Sequence, residues 1–403
     1  MASFPSFDEF RAQLEQAGSR LIVLVPFGRG GVFFLQSLFD GHPQVLMYPG
    51  NFDFYNRVIL READWKSNWR RNLEEAFDVI PQAKHMNINT GLGEDGKGAL
   101  NLDAKALLRF TEEAMVGQPM DSRTLFLAAH YAIARFMGKD LSAVTTLLLH
   151  DHHHPVSGET EEAIRADFPA SQFLYTTKDP RSNYYSQRRV RKVLMASEGF
   201  EIKYQHFMTV TCIALYQHGL TMLNAFKGKA WIIRLEDVQA EKEIYLRALV
   251  AQLGIAFDPC LLQTTFGGMQ WVGDAGSKKP EPGFRKSADP KLWSEGLSPV
   301  RVAALEILLK TEIEALGYPI VHGPRSIWHW VALVFLPLWK YEDFDVLLSS
   351  DYYRYRLQIN SPPWKVVLGD SALYLRTTLG LVKKLIRRAP RYPSIPNTVF
   401  RSA

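Results

Sequence analysis

Cysteine is almost missing: Cys212 and Cys260 are the only two in 403 residues, and they stand in no metal-ligand spacing. That excludes a disulfide framework and a thiolate metal site, and makes a reducing, cytoplasmic compartment the expected setting. Long apolar runs are also lacking. "IWHWVALVFLPLW" (327–339) is too short for the ~20 residues that cross a bilayer. The N-terminal stretch has no basic region followed by an apolar core, so no signal peptide is expected; Phe4, Phe7, Phe10 and Leu14 instead recur at helical spacing. No internal repeat is evident. Neither sign of charge dominates, with 47 Lys and Arg against 42 Asp and Glu, a net charge of +5 and a pI of about 9.0. Such a mild excess suits an anionic small molecule or a membrane surface and excludes an argument for nucleic acid from charge alone.

What remains is an ordinary globular composition, 47% hydrophobic and 22% charged, in a chain long enough for one large domain with elaborations. Short β-rich runs occur at 21–27 ("LIVLVPF"), 145–150 ("TTLLLH"), 172–177 ("QFLYTT") and 230–235 ("AWIIRL"). Helical periodicity fills 102–116, 121–137, 158–167, 202–226 and 239–253. Strands apolar on both faces and separated by helices imply a parallel sheet covered on both sides. The expected fold is therefore α/β, three-layered around a central parallel sheet. We expect this domain to span 1–322, with 51–120 as a helical insertion or lid and 323–403 as a basic, partly amphipathic helical extension. In such sheets ligands sit beyond the carboxyl ends of the strands, where Gly28–Gly31, His150–His154 and Lys178–Ser186 all fall. The Gly-, Pro- and Lys-rich stretch 267–296 has the length of a functional loop. Residues 371–403 carry seven basic residues and no acid. Within them "LRTTLGLVKKLIRRAP" places leucines on one helical face and cations on another, which fits peripheral contact with an anionic membrane or a helix packed on the domain with a solvated basic face.

Gly28-Arg29-Gly30-Gly31 lies between the first strand and a helix-like run. Glycine permits close approach and unusual backbone angles, and the unpaired N–H groups of a helix start attract anions. The residues alone fit a phosphate-type site or a tight turn with a surface arginine. The longer segment "GRGGVFFLQSLFDGHPQVLMYPG" resembles the phosphosulfate-binding loop of sulfotransferases, G-R/K-S-G-T-T-x-L-x-x-L-L-D-x-H-P. A second segment, "FPASQFLYTTKDPRSNYYSQRR" (168–189), resembles that family's 3′-phosphate motif, with Lys178 at the usual arginine and Ser186 eight residues on. "WIIRLEDVQAEKEIYLRALVAQLGIAFDP" (231–259) is similar to the family's strand and helix ending in a leucine-glycine pair, and "GFRKSADPKLW" (283–293) to its late R-K-G loop, through Arg285 and Lys286.

The resemblance implies a P-loop-like sulfotransferase fold and transfer of a sulfuryl group from 3′-phosphoadenosine 5′-phosphosulfate (PAPS) to a hydroxyl, without a metal. Gly28, Arg29, Gly30, Gly31, Val32 and Phe33 would hold the 5′-phosphosulfate, with Arg29 neutralising the bridging oxygen; Lys178, Ser186, Arg285 and Lys286 would hold the 3′-phosphate. The acceptor expected is a carbohydrate or lipid-linked glycan. "LLLHDHHHP" (147–155) offers His150, His152 and His154 on one face of a continued strand. It resembles the K-x-H-x-P segment whose histidine is the base, and His152 is the residue so implied. Clustered histidines also suit a divalent cation or a solvated loop. The loop departs from the family where S-G-T-T reads Gly30-Gly31-Val32-Phe33, removing all three hydroxyls. A catalytically silent relative binding a nucleotide or anionic glycan is therefore the alternative function. Among residues with plainer readings, Glu236 and Asp237 suit a helix start, His130 a buried core histidine, and Phe33 and Phe34 core packing or adenine stacking.

Overall fold

The computed structural model describes residues 4–82, 90–95, 97–150, 158–187, 216, 219–221, 223, 230–273, 292–322 and 399–400. They belong to two compact units, one of Met1–Thr177, Gly228–Ala288 and Phe400–Ala403, the other of Lys178–Lys227 and Asp289–Val399.

The first unit opens with α1 (Phe7–Gln16), started by a capping box in which Ser6 and Glu9 satisfy each other's backbone N–H. Phe7, Phe10 and Leu14 are its buried face, as their spacing predicts. Then follow β1 (Arg20–Pro26), α2 (Val32–Phe39), β2 (Val45–Met47), a π-helical turn (Tyr55–Ile59) and α3 (Trp65–Gln82). A small antiparallel pair, β3 (Thr90–Leu92) and β4 (Gly98–Ala99), precedes α4 (Ala104–Met115), α5 (Ser122–Met137), β5 (Thr146–His150), α6 (Gly158–Asp167) and β6 (Gln172–Thr177). After α7 (180–187) of the second unit, the first resumes with β7 (Ala230–Arg234), α8 (Leu235–Ala240) and α9 (Lys242–Leu253).

Five strands form one parallel sheet in the order β2-β5-β1-β6-β7. Leu21–Pro26 and all of β5 are buried, which is why these runs carry no polar alternation. Leu24 is level with His150 on one side of β1, and Pro26 with Thr176 on the other. From β1 the chain leaves toward β2, from β6 toward β7, so the carboxyl ends of β1 and β6 flank the crevice at the topological switch point. The sheet is a central parallel one with flanking helices, and the α/β expectation holds.

The edge strand β2 has no counterpart in the sequence reading, because three residues, Val45-Leu46-Met47, are too short to show a period. Residues 51–82, part of the stretch expected to be a helical insertion or lid, hold the π-helical turn and α3. Their core is aromatic: Phe52 stacks on Phe77 at 5.3 Å and 2° and on Tyr48 at 5.1 Å, while Phe54 meets Phe126 edge-on at 5.1 Å. Pairs of this kind add about 0.5–1.5 kcal/mol each beyond the area they bury. At the outer edge of β7, the Phe400 N–H donates to Ile232 O (3.0 Å), and its ring packs on Trp231 and Tyr245.

In the second unit, α10 (Pro299–Ala315) starts on the Ser298 cap with proline in its first turn. Most of 202–226, residues 274–291 and the basic extension up to 398 lie outside the described residues. Among the described residues no helix is long and apolar enough to cross a membrane.

Candidate functional site

The loop that joins β1 to α2 is shaped by its glycines. Gly28 and Gly31 have φ of 57° and 85°, in the left-handed region that side-chain-bearing residues avoid. A Cβ on Gly30 would stand 2.2 Å from Thr176 O at the end of β6, so only glycine allows this approach. Gly31 is the N-cap of α2 and offers no side-chain oxygen to the helix's first N–H groups. Those donors, with the positive end of the helix dipole, face the switch point of the sheet. Arg29 is half-buried within the same loop.

Behind the loop, α2 is fixed by buried polar contacts. Gln36, fully buried, donates from Nε2 to Tyr48 O (2.9 Å) and Gly50 O (2.7 Å), and its Oε1 lies 2.8 Å from His150 Nδ1. Phe33 meets the His150 ring edge-on at 4.7 Å. His150 is thus a buried partner of α2 at the last residue of β5. The stretch Asp40-Gly41-His42-Pro43 acts as an anchor: Asp40 accepts from Thr265 Oγ1 (2.8 Å) and the Gly268 N–H (2.9 Å). His42 accepts the Gln44 N–H at Nδ1 (3.1 Å), leaving Nε2 to donate to Ala256 O (3.0 Å). Burial draws the His42 pKa below the usual histidine range, which keeps this tautomer neutral.

In the second unit, two residues singled out in the sequence come together. Lys178 Nζ, from the residue just ahead of α7, donates to Ser186 Oγ in that helix's second turn at 2.6 Å. The Lys178 backbone is held by Tyr216, whose hydroxyl donates to Lys178 O (3.0 Å) and accepts from Asn183 Nδ2 (2.8 Å). Arg181 is completely buried. It donates to both Asp179 oxygens (2.9 and 2.6 Å), to Glu306 and to Pro319 O (2.9 Å), and its guanidinium lies over Trp293. Glu306 in turn accepts from the Val321 and His322 N–H groups, both at 2.8 Å. A buried arginine needs such complete pairing to offset its desolvation.

Sequence reasoning missed Gln36, Tyr216 and Arg181 as organisers. Gln36 and Arg181 stand inside the two matched motifs, and a buried polar residue inside an apolar helix run is the signal that marks Gln36. His152, Arg285 and Lys286 lie outside the described residues. Val32 is buried in the first turn of α2, and Asp237 pairs with Arg234 at 2.6 Å, tying the start of α8 to the end of β7. His130 is fully buried between Phe52 and Phe126, with Nδ1–H donating to Phe126 O at 2.9 Å. Among the described residues no group of three His, Cys, Asp or Glu side chains is arranged to hold a metal ion.

Comparison with solved structures finds the sulfotransferase domain from the Synechococcus PCC 7002 olefin synthase, at 15% identity and a TM-score of 0.45, covering 74% of this chain and 94% of that one. The sulfotransferase domain from the curacin biosynthetic pathway follows at 17% identity and 0.41, covering 79% and 96%. A sulfotransferase from Mycobacterium tuberculosis stands at 13% and 0.33, covering 64% and 73%. No curated protein matches. The model of the sulfotransferase family matches residues 22–259, from within β1 to beyond α9 and so over both motif-bearing segments. With more than half its length in that match, the chain belongs to the sulfotransferase family.

Proposed function

We propose that the protein transfers a sulfuryl group from PAPS to a hydroxyl of a carbohydrate or lipid-linked glycan. The observation that carries the reading is the meeting of Lys178 and Ser186 at 2.6 Å, a cation and a hydroxyl paired where the family motif expects 3′-phosphate ligands. Backbone donors of residues 29–33 are suited to the 5′-phosphosulfate, since a nest at a helix start binds anions without side-chain help. Arg285 and Lys286 complete the cation set around the 3′-phosphate in this proposal.

The donor supplies the sulfuryl group. Transfer breaks the bond from sulfur to the bridging phosphate oxygen and forms one from sulfur to the acceptor oxygen. The acceptor's proton passes to His152, and 3′-phosphoadenosine 5′-phosphate (PAP) departs with the electron pair. Like phosphoryl transfer, such a step is governed by positioning and by stabilising charge on the leaving oxygen. Arg29 supplies that charge. Removing one preorganised group of this kind costs ~3–4 kcal/mol of barrier.

The lost loop hydroxyls support a second reading, a relative that binds nucleotide or anionic glycan without turnover. Labelled PAPS incubated with octyl β-D-glucoside and with a lipid-linked oligosaccharide separates the two. The transferase reading expects labelled product, reduced about 10²–10³-fold by Arg29→Ala. PAP binding with neither product nor PAPS hydrolysis would favour the silent relative.

A further inference from the structure

We infer that Asn51 binds the acceptor by taking a hydrogen bond from a hydroxyl neighbouring the one sulfated; this rests on the transferase reading. Asn51 is only 9% exposed, and its Oδ1 is buried with no hydrogen-bond partner among the described residues. The polar groups just after it are satisfied. Asn56 Nδ2 donates to Asp53 Oδ1 (2.7 Å), Asn56 Oδ1 accepts from Thr160 Oγ1 (2.7 Å), and Tyr55 donates to Asp167 (3.0 Å). A buried amide oxygen without a partner calls for an explanation, and a hydroxyl of the acceptor is a donor that can supply the missing bond.

Its place agrees with that role. On one side of Asn51, Gly50 O accepts from Gln36 of α2 (2.7 Å); on the other, the Phe52 N–H donates to His150 O at the end of β5 (3.2 Å). The Phe52 ring packs on both Tyr48 and Phe77, which also touch each other at 6.1 Å. Both flanks are thus fixed at the carboxyl end of the sheet, close in the fold to the helix that starts from the glycine loop. A preorganised backbone with an unfilled acceptor suits recognition better than a mobile loop does. A π-helical turn, a feature common at functional sites, begins four residues later at Tyr55. An amide oxygen does not take up a proton at neutral pH. Asn51 therefore orients a second hydroxyl and leaves deprotonation to another residue, which selects acceptors with neighbouring hydroxyls over simple alcohols.

Thermal shift of the full chain tests this, with PAP alone and with PAP plus octyl β-D-glucoside below its micellar concentration. The wild type is expected to gain a further shift from the glucoside, but none from 1-octanol. Asn51→Leu keeps the PAP shift and needs at least tenfold more glucoside for the same gain, while Asn51→Asp, which retains an accepting oxygen, keeps most of it. Should the leucine variant not fold, Asn51→Ala makes the same comparison. The assignment is overturned if the glucoside leaves wild type unmoved or shifts Asn51→Leu equally. Loss of the PAP shift in wild type counts against the transferase reading instead.

Discussion

In the loop after β1, Gly28 and Gly31 take φ of 57° and 85° and Gly30 leaves no room for a Cβ beside Thr176, whereas in the turn after β6 Lys178, Ser186, Tyr216 and Arg181 hold the geometry through side chains. The first segment is made by its backbone and has shed the hydroxyls its family carries there. The second keeps a cation and a hydroxyl and invests in a buried ion cluster. In the proposed function, loss of side-chain hydrogen bonds to the 5′-phosphosulfate is tolerable where backbone N–H groups supply the contacts. A turn whose ligands are side chains has no such reserve.

The largest expected effect is in the side-chain-built turn. Arg181→Met leaves Asp179 and Glu306 buried without their cation, and breaking such a cluster costs about 3–5 kcal/mol. Urea unfolding should show that loss, and a change under 1 kcal/mol would mean the cluster is not what secures α7. Next comes acid sensitivity in the first unit. Burial lowers the His130 pKa from the usual 6.5 to about 4, so the folded state disfavours the protonated ring. Stability is full above pH 6.5 and falls as pH drops toward 4, by up to about 3 kcal/mol. Chemical denaturation at stepped pH should show this slope in wild type and a flatter one in His130→Gln; equal slopes would contradict it.

In the backbone-built loop, Gly30→Ala forces a methyl against Thr176 O. Overpacking of this kind costs about 1–3 kcal/mol, and displacement of the loop should weaken PAP in titrations while Gly158→Ala, with open space around its Cβ and no left-handed φ, does not. Ser186→Ala removes one hydrogen bond to a charged partner and should lower PAP affinity by the smallest amount, about 1.5 kcal/mol. If Ser186→Ala leaves PAP binding unchanged, side chains do not make that turn's contribution and the contrast between the two segments fails.

Much of this was legible before any coordinates. Buried strands declare themselves by continuous apolar runs, and β5, β6 and β7 fall within a residue of the runs at 145–150, 172–177 and 230–235. The glycine loop was visible from its residues, and Lys178 with Ser186 through the resemblance to the family's 3′-phosphate motif. What stayed hidden depends on contacts between distant segments. β2 is a strand only because β5 pairs with it, and the segment after β2 is held by rings at 48, 52 and 77 whose stacking no local period reveals. Likewise, Gln36 and Arg181 read as ordinary motif positions until burial shows what each one ties down.

The most direct test is calorimetric titration of the full chain and of Lys178→Ala with PAP. The proposed function, in which Lys178 is a PAPS ligand, predicts micromolar binding in wild type, weakened at least tenfold in the variant. No heat at millimolar PAP, or identical binding by both proteins, would contradict it.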